Sequence, residues 1–113
     1  MTLEYAGKII DTDNEGYLLD PELWSEELAL LIAEGESLEM NEDRWQIVRM
    51  VREHYEYSSC VIELRKVLKA LKEQTGAGKA TRKHVYQLFP YGYGQQACKI
   101  AGMRKPLKLL LDL

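Results

Sequence analysis

The residues that decide the fold prediction are FPYGYGQQACKIAGMRKP, at positions 89–106. Two glycines early in this segment interrupt any regular element. Residues 95–101 then permit a short helix of about two turns, and Gly102 suits the C-terminal end of that helix. The segment therefore predicts a short helix that carries Cys98 between a loose loop and a flexible tail, an arrangement that could display a thiol to partner proteins.

The charge around Cys98 favours a reactive thiol. Four basic residues lie beside it or shortly after it in the sequence: Lys99, Arg104, Lys105 and Lys108. Nearby cations stabilise the thiolate, which is the nucleophilic form of cysteine. Cys98 is therefore a candidate site for thiol chemistry. The alternative is that Cys98 is a small buried hydrophobic residue, as free cysteines usually are.

Two tyrosines, Tyr91 and Tyr93, flank the glycines ahead of the cysteine. They could pack as a lid over the domain or contact a partner protein. Together with the four basic residues they form the predicted partner-binding set.

Composition predicts one soluble domain. The chain has 113 residues, of which 46% are hydrophobic and 29% charged, and both fractions are ordinary for a globular protein. No apolar run approaches the length of a membrane helix, and the first residues show no secretory pattern. We therefore expect a cytoplasmic protein with reduced thiols. The two cysteines and two histidines form no zinc pattern, so neither a metal site nor a cofactor is predicted.

Charge is distributed unevenly along the chain. Residues 1–60 carry 4 basic and 15 acidic side chains, a balance of −11, whereas residues 61–113 carry 11 basic and 3 acidic side chains, a balance of +8. Such a split can mark a basic binding face. It can equally mean that the two halves attract one another in the fold. The basic series between residues 65 and 83 is either a solvated helix face or a weak nucleic-acid footprint.

The predicted fold is α+β and mostly helical. Residues 1–20 read as a β-hairpin, with strand-like residues 3–10, a turn at 11–16 and a second strand at 17–19. The Asp11-x-Asp13 spacing belongs to that turn, because the remaining ligands of a calcium loop are missing. Residues 21–103 form a helical core and residues 104–113 a C-terminal arm, all within a single domain 1–113.

About five helices are predicted from apolar periodicity and capping residues. Asp20 begins the first helix, Asn41 the second and Thr81 the fourth. Cys60 begins the third helix and is expected to be partly buried there. The helix that carries Cys98 is the fifth. Short connections between these helices leave room for a helix-turn-helix arrangement.

Residues 88–106, LFPYGYGQQACKIAGMRKP, resemble the C-terminal signature of the DsrC/TusE family of small sulfur-carrier proteins. The resemblance extends to four other parts of the chain: Asp13-x-x-Gly16-Tyr17-Leu18, the helix near Trp24, Trp45, and Val51-Arg52-x-x-Tyr55. It implies a hairpin packed on a helical array, in agreement with the elements predicted above.

The resemblance also implies a role for Cys98. In the family, the cysteine of the Ala-Cys-Lys motif can pair with a penultimate cysteine on a mobile C-terminal arm. The position expected for that second cysteine, 11 residues after Cys98, is Leu109 in this chain. A two-thiol cycle needs two thiols within bridging reach. What remains is one-thiol chemistry, in which Cys98 accepts a sulfane sulfur as a persulfide or forms a mixed disulfide.

The sequence therefore predicts a sulfur-metabolism protein that acts by protein–protein contact, as a non-catalytic carrier or accessory protein. Its expected partners are dissimilatory sulfite reductase or sulfurtransferase relay proteins. The alternative is a regulatory or DNA-binding module of the same fold, without sulfur transfer.

Overall fold

The computed structural model describes residues 2–105 of the chain. It opens with two antiparallel strands, β1 (Thr2–Tyr5) and β2 (Lys8–Asp11), in which Leu3 lies opposite Ile10. Ala6 and Gly7 connect the strands with φ angles of +50° and +76°. Two consecutive residues with positive φ suit a tight two-residue hairpin turn. The predicted N-terminal hairpin is confirmed.

The position of the hairpin turn was predicted wrongly. Both strands lie within residues 2–11, whereas the prediction treated Gly7 as an interruption of a single strand. Gly7 instead helps the chain to reverse, because glycine adopts positive φ without steric cost. Residues 12–18 form a separate loop that is closed by a bridge between Thr12 and Leu18.

The loop that follows β2 is stabilised by Asp13. Its Oδ1 atom accepts hydrogen bonds from the backbone N–H groups of Glu15, at 2.8 Å, and Tyr17, at 3.0 Å. An aspartate that bonds to backbone N–H groups two or more residues later is a typical turn former. The carboxylate of Asp13 is thus used within the loop, in keeping with the turn that the sequence predicts there.

Within the described residues, five α-helices follow the hairpin: α1 (Glu26–Gly35), α2 (Glu42–Ser58), α3 (Leu64–Thr75), α4 (Arg82–Leu88) and α5 (Cys98–Ile100). Short 3-10 helices lie at Pro21–Leu23 and Ala77–Lys79. A π-helix, Tyr93–Ala97, runs directly into α5. The prediction of a mostly helical α+β fold with about five helices is confirmed.

The first helix begins later than predicted. Asp20 caps only the 3-10 helix, where its Oδ1 accepts from the N–H of Glu22 at 3.0 Å. Trp24 then adopts an extended backbone with ψ at 144°, so the chain cannot continue as a helix. Ser25 caps α1 instead, because its Oγ accepts from the N–H of Leu28 at 3.1 Å.

The third helix was also predicted to begin too early, at Cys60. Ser59 ends α2 in the left-handed region, with φ at +57°, and residues 60–63 are not helical. Helix α3 begins only at Leu64. The predicted caps of α2 and α4 are confirmed: Asn41 accepts from the N–H of Arg44, and Thr81 accepts from the N–H of His84.

The C-terminal helical segment lies at the centre of the hydrophobic core. The π-helix and α5 contribute side chains with no solvent exposure, and so do the residues that follow: Tyr93, Ala97, Cys98, Ile100, Ala101 and Met103. Helices α1 and α2 pack against this segment. The segment with the least regular sequence therefore contributes substantially to the hydrophobic core.

Three ion pairs join the acidic first half of the chain to the basic second half. Asp43 pairs with Lys79 at 2.9 Å, Glu36 with Lys99 at 3.4 Å and Glu15 with Lys105 at 2.6 Å. The opposite charges of the two halves are therefore partly used in ion pairs between those halves. Among residues 2–105, no helix is both long and apolar enough to cross a membrane.

Candidate functional site

The Cys98 side chain is completely buried. Its backbone N–H donates to the carbonyl of Tyr93, the first residue of the π-helix, and its own carbonyl accepts from the N–H of Met103 at 3.0 Å. The thiol is therefore mounted on a short helix, as the sequence predicts. Of the two alternatives that the sequence left open, a displayed thiol and a buried one, this structure has the buried one, and α1 and α2 pack against the helix.

Tyr93 is a core residue in this structure. Its ring has no solvent exposure, and its hydroxyl donates a 2.5 Å hydrogen bond to the carbonyl of Ile62, just before α3. Of the two alternatives for Tyr93, this burial favours packing within the domain over contact with a partner protein. This bond attaches the π-helix ahead of Cys98 to the loop between α2 and α3.

The far end of the cysteine helix is attached to the N-terminal half of the chain. The indole Nε1 of Trp24 donates a 2.7 Å hydrogen bond to the carbonyl of Ile100. The guanidinium of Arg52 lies 4.9 Å from the centre of the Trp24 ring and donates to the carbonyl of Ala101 at 3.3 Å. Both carbonyls at the end of α5 therefore have side-chain donors, which satisfies helix-end groups that would otherwise lack partners.

Tyr17 attaches the start of the Cys98 segment to the loop that follows β2. It is 3% exposed, and its hydroxyl donates to the carbonyl of Gly94 at 3.1 Å. Burial raises the pKa of the Tyr17 hydroxyl well above its usual range, and the neighbouring negative charge of Cys98 raises that pKa further. The effect of Cys98 on this pKa means that the thiol and the phenol are electrostatic neighbours.

Lys99 is largely buried and faces the protein rather than solvent. Only 12% of its side chain is exposed, and its Nζ lies 3.4 Å from a carboxylate oxygen of Glu36. The same Nζ is 4.9 Å from the centre of the Tyr17 ring, within the range of a cation–π contact. The sequence placed Lys99 in the partner-binding set, but the structure assigns its ammonium group to an intramolecular pair.

A cleft of 360 Å³ opens to solvent beside these groups. Its lining residues are Glu15, Tyr17, Glu36, Tyr91, Gln95 and Lys99. Cys98 itself is not among them, although it is the neighbour of Lys99 in the chain. The cleft therefore lies beside the Cys98 segment, and the thiol is not part of its lining.

The other predicted partner-binding residues reach the surface. Tyr91 is 73% exposed, and Arg104 and Lys105 are exposed as well. The hydrogen bond between Lys105 and Glu15 raises the pKa of the lysine. Lys108 lies outside the described residues, as does most of the predicted arm 104–113.

Cys60 differs from Cys98 in its surroundings. It is exposed in the loop between α2 and α3, not partly buried at a helix start as predicted, and its Sγ donates to the carbonyl of Ser58 at 3.3 Å. Neither cysteine is disulfide-bonded. Within residues 2–105, no group of three or more His, Cys, Asp or Glu side chains is placed to hold a metal ion.

Sequence reasoning missed three residues that define this site. Glu36 and Tyr17 are far from Cys98 in the chain, and only tertiary packing brings them to it. Gln96 is 1% exposed, and its Oε1 accepts from the N–H of Tyr91. Its Nε2 has no hydrogen-bond partner within the part of the chain that the structure describes. The unequal charge of the two halves was the one available signal for the Glu36–Lys99 pair.

A hairpin on a helical array, with one buried cysteine helix at its centre, defines a class of small thiol-bearing proteins. The family model described as "DsrC like protein" matches residues 4–110, and the chain belongs to this family. The resemblance inferred from the C-terminal motif is thus confirmed.

Curated relatives agree with this assignment. The chain is 42% identical over 108 residues to the protein named Sulfurtransferase TusE of Yersinia pestis, and the match covers 96% of this chain and 99% of that protein. It is 41% identical to the Sulfurtransferase TusE of Escherichia coli strain K12, with the same coverage.

Solved structures agree on the fold. The oxidized gamma-subunit of the dissimilatory sulfite reductase (DsrC) from Archaeoglobus fulgidus is 31% identical, with a TM-score of 0.88 over 95% of this chain and 97% of that chain. DsrC of Allochromatium vinosum is 38% identical, with a TM-score of 0.83 over 94% of this chain and 95% of that chain.

Proposed function

We propose that this protein acts in sulfur metabolism by contact with other proteins, either in a sulfur relay or in association with a sulfite reductase. The observation that carries the proposal is the near-complete match to relatives named as sulfurtransferases, at 41–42% identity. Solved relatives described as sulfite reductase gamma-subunits support the second partner class. On this proposal the chain is a carrier or accessory protein rather than a stand-alone enzyme.

Cys98 is the proposed sulfur site. Position 109, where the family resemblance places a second cysteine, is leucine, so a two-thiol cycle on the arm is not available. The Cys98 thiolate would attack the outer sulfur of a persulfide, R–S–SH, and release R–S⁻ as the S–S bond breaks. The product is Cys98–S–SH. A reducing cytoplasm, the compartment predicted from the sequence, would keep Cys98 in the thiol form that this step needs.

Burial sets a condition on this chemistry. A thiol with no exposure cannot meet a donor protein unless the surrounding segment opens. The residues proposed to contact the partner are those at the surface near this segment: Tyr91, Arg104 and Lys105, with Lys108 retained from the sequence prediction. Partner contact and exposure of the thiol would then occur at neighbouring places on the molecule.

The test is sulfur loading followed by intact mass. The reduced protein is incubated with a persulfide donor, and a gain of about 32 Da marks one added sulfur atom. Cys60 needs a control because it is exposed and can react without any biological role, so the experiment uses the Cys60→Ser background. The gain should appear in Cys60→Ser and disappear in Cys60→Ser/Cys98→Ser. Loading that persists in the double variant, or that never appears in the single variant, contradicts the sulfur role.

A second candidate function, DNA binding without sulfur transfer, is favoured by one observation. Helix α3 presents exposed basic side chains at Lys66, Lys69 and Lys72, and α4 adds Arg82 and Lys83. If they contact phosphates, affinity for duplex DNA should fall steeply as salt rises. Lack of a mobility shift at low salt would exclude this alternative, and a salt-dependent shift that is lost on Lys69→Gln/Lys72→Gln would support it.

A further inference from the structure

Several contacts hold the segment around Cys98, and two of them, from Tyr17 and Glu36 in the N-terminal part of the chain, also border the solvent-accessible cleft. The Tyr17 hydroxyl bonds to the carbonyl of Gly94, inside the π-helix. The Glu36 carboxylate pairs with Lys99, the residue after the cysteine. These contacts thus lie on either side of Cys98 in the sequence. Both partners from the N-terminal part also line the cleft that opens to solvent.

We propose that Tyr17 and Glu36 are positioning residues that hold the Cys98 segment closed, and that the thiol becomes reachable through the cleft when their contacts to Gly94 and Lys99 open. This inference rests on the proposed role of Cys98, because access matters only to a thiol that reacts. It goes beyond that role by naming the residues that set the rate of access.

The local backbone suits such an opening. A π-helix has wider hydrogen-bonded turns than an α-helix and often occurs at functional sites. Here it spans Tyr93–Ala97 and directly precedes the cysteine. Among residues 2–105, the buried Nε2 of Gln96 inside it finds no hydrogen-bond partner, which makes the closed arrangement less favourable than a fully satisfied one. The closed state therefore depends on contacts from outside the segment, and Tyr17 and Glu36 supply two of them.

Electrostatics adds a second consequence. Glu36 pairs with Lys99 in the closed state, and Glu15, which also lines the cleft, pairs with Lys105. When Glu36 moves away or loses its charge, Lys99 presents an uncompensated ammonium group next to Cys98. The opened thiol should then react faster with an anionic reagent than with a neutral one.

The experiment measures alkylation of Cys98 in folded protein. In the Cys60→Ser background, iodoacetamide labelling is followed by mass, and Tyr17→Phe and Glu36→Gln are compared with their parent. Loss of one buried hydrogen bond or one largely buried ion pair should raise the labelling rate about three- to tenfold. Matched controls are Tyr57→Phe, which changes a 93% exposed tyrosine, and Glu26→Gln, which breaks a surface pair with Arg49. Both controls should leave the rate unchanged.

Two further measurements separate positioning from general loss of stability. In Glu36→Gln, the ratio of iodoacetate to iodoacetamide labelling at Cys98 should rise about threefold. Lys99→Met should also accelerate iodoacetamide labelling. The labelling rate of Glu36→Gln/Lys99→Met should be close to that of either single variant, because both substitutions remove the same ion pair. Two results would overturn the proposal. The first is an increase in labelling rate that is fully explained by the measured loss of unfolding free energy in each variant. The second is an equal increase in the control variants.

The persulfide experiment and the alkylation experiment test separate proposals, and either proposal can be contradicted without the other. If Cys98 is alkylated faster in the variants but never gains sulfur, the positioning role stands and the sulfur role falls. If Cys98 gains sulfur but neither variant changes its alkylation rate, the sulfur role stands and the positioning role of Tyr17 and Glu36 falls.

Discussion

The side chain of Trp24 lies directly against Gly102, so closely that a Cβ atom on residue 102 would be 2.7 Å from Cγ of the tryptophan. Gly102 also has a φ of +79°. Two constraints therefore favour glycine at the end of the cysteine helix: the positive φ at position 102 and the Trp24 ring packed against that position. The same ring donates to the carbonyl of Ile100, so one tryptophan fixes the place where the chain leaves the core.

Replacing Gly102 with alanine should destabilise the protein strongly. The positive φ costs an L-residue about 1–2 kcal/mol, and the overlap with Trp24 adds about 1–3 kcal/mol. We expect the free energy of unfolding to fall by about 2–5 kcal/mol in urea titrations. Gly35→Ala is the control, because Gly35 has an ordinary φ and nothing within 4 Å of its added Cβ. A similar loss in both variants would contradict the close packing described here.

Replacing Tyr93 with phenylalanine should also be costly. The change keeps the buried ring but removes the hydroxyl donor to the carbonyl of Ile62. Because that bond is buried, we expect a loss of about 1–3 kcal/mol in the free energy of unfolding. Tyr57→Phe removes a hydroxyl from a 93% exposed ring and should change stability by less than about 0.5 kcal/mol. Equal effects in the two variants would show that the Tyr93 bond does not stabilise the fold.

Ionisation of the Tyr17 hydroxyl should lower the free energy of unfolding at alkaline pH. Its folded pKa is raised by burial first, and then by negative charge on Cys98, Glu15, Asp13 and Glu36. A raised pKa means that the folded state holds the proton more tightly than the unfolded state. The contribution is therefore fully present below the unfolded pKa of about 10 and is lost as pH rises above that value.

The measurement for Tyr17 compares urea titrations at pH 8 and at pH 11. The parent protein should lose more stability between these values than Tyr17→Phe, which has no phenolic proton at that position. Tyr57→Phe should lose as much stability as the parent over the same interval. If Tyr17→Phe and the parent lose equal stability, the buried Tyr17 hydroxyl is not a source of the alkaline loss.

The helical part of the fold could be predicted because its signals are local. Asn41 and Thr81 each cap a helix by accepting from a backbone N–H three residues later, so the sequence alone contains the information. The structural role of Gly7 was harder to predict, because an isolated glycine fits both an interrupted strand and a turn. Cys60 was placed at a helix start because Ser58 and Ser59 can end one helix and cap the next. Ser59 does end α2, in a left-handed conformation, but α3 begins only at Leu64.

The burial of Cys98 was one of two alternatives that the sequence left open, because free cysteines are usually buried whereas nearby cations favour a reactive thiol. Glycines, a proline and basic residues around a cysteine are typical of an exposed loop. What covers the thiol segment comes from distant parts of the chain, including Tyr17 and Glu36 and the ring of Trp24. Such contacts depend on tertiary packing, and in this sequence only the opposite charges of the two halves hinted at them.

The most direct test of the central claim is passage of sulfur through Cys98 in the folded protein. The Cys60→Ser variant is loaded with ³⁵S from a labelled persulfide donor, freed of excess donor under native conditions, and offered an acceptor thiol. We expect label on the protein after loading, label on the acceptor after discharge, and neither in Cys60→Ser/Cys98→Ser. Label that attaches only after denaturation, or that attaches equally without Cys98, would contradict a carrier role for this thiol.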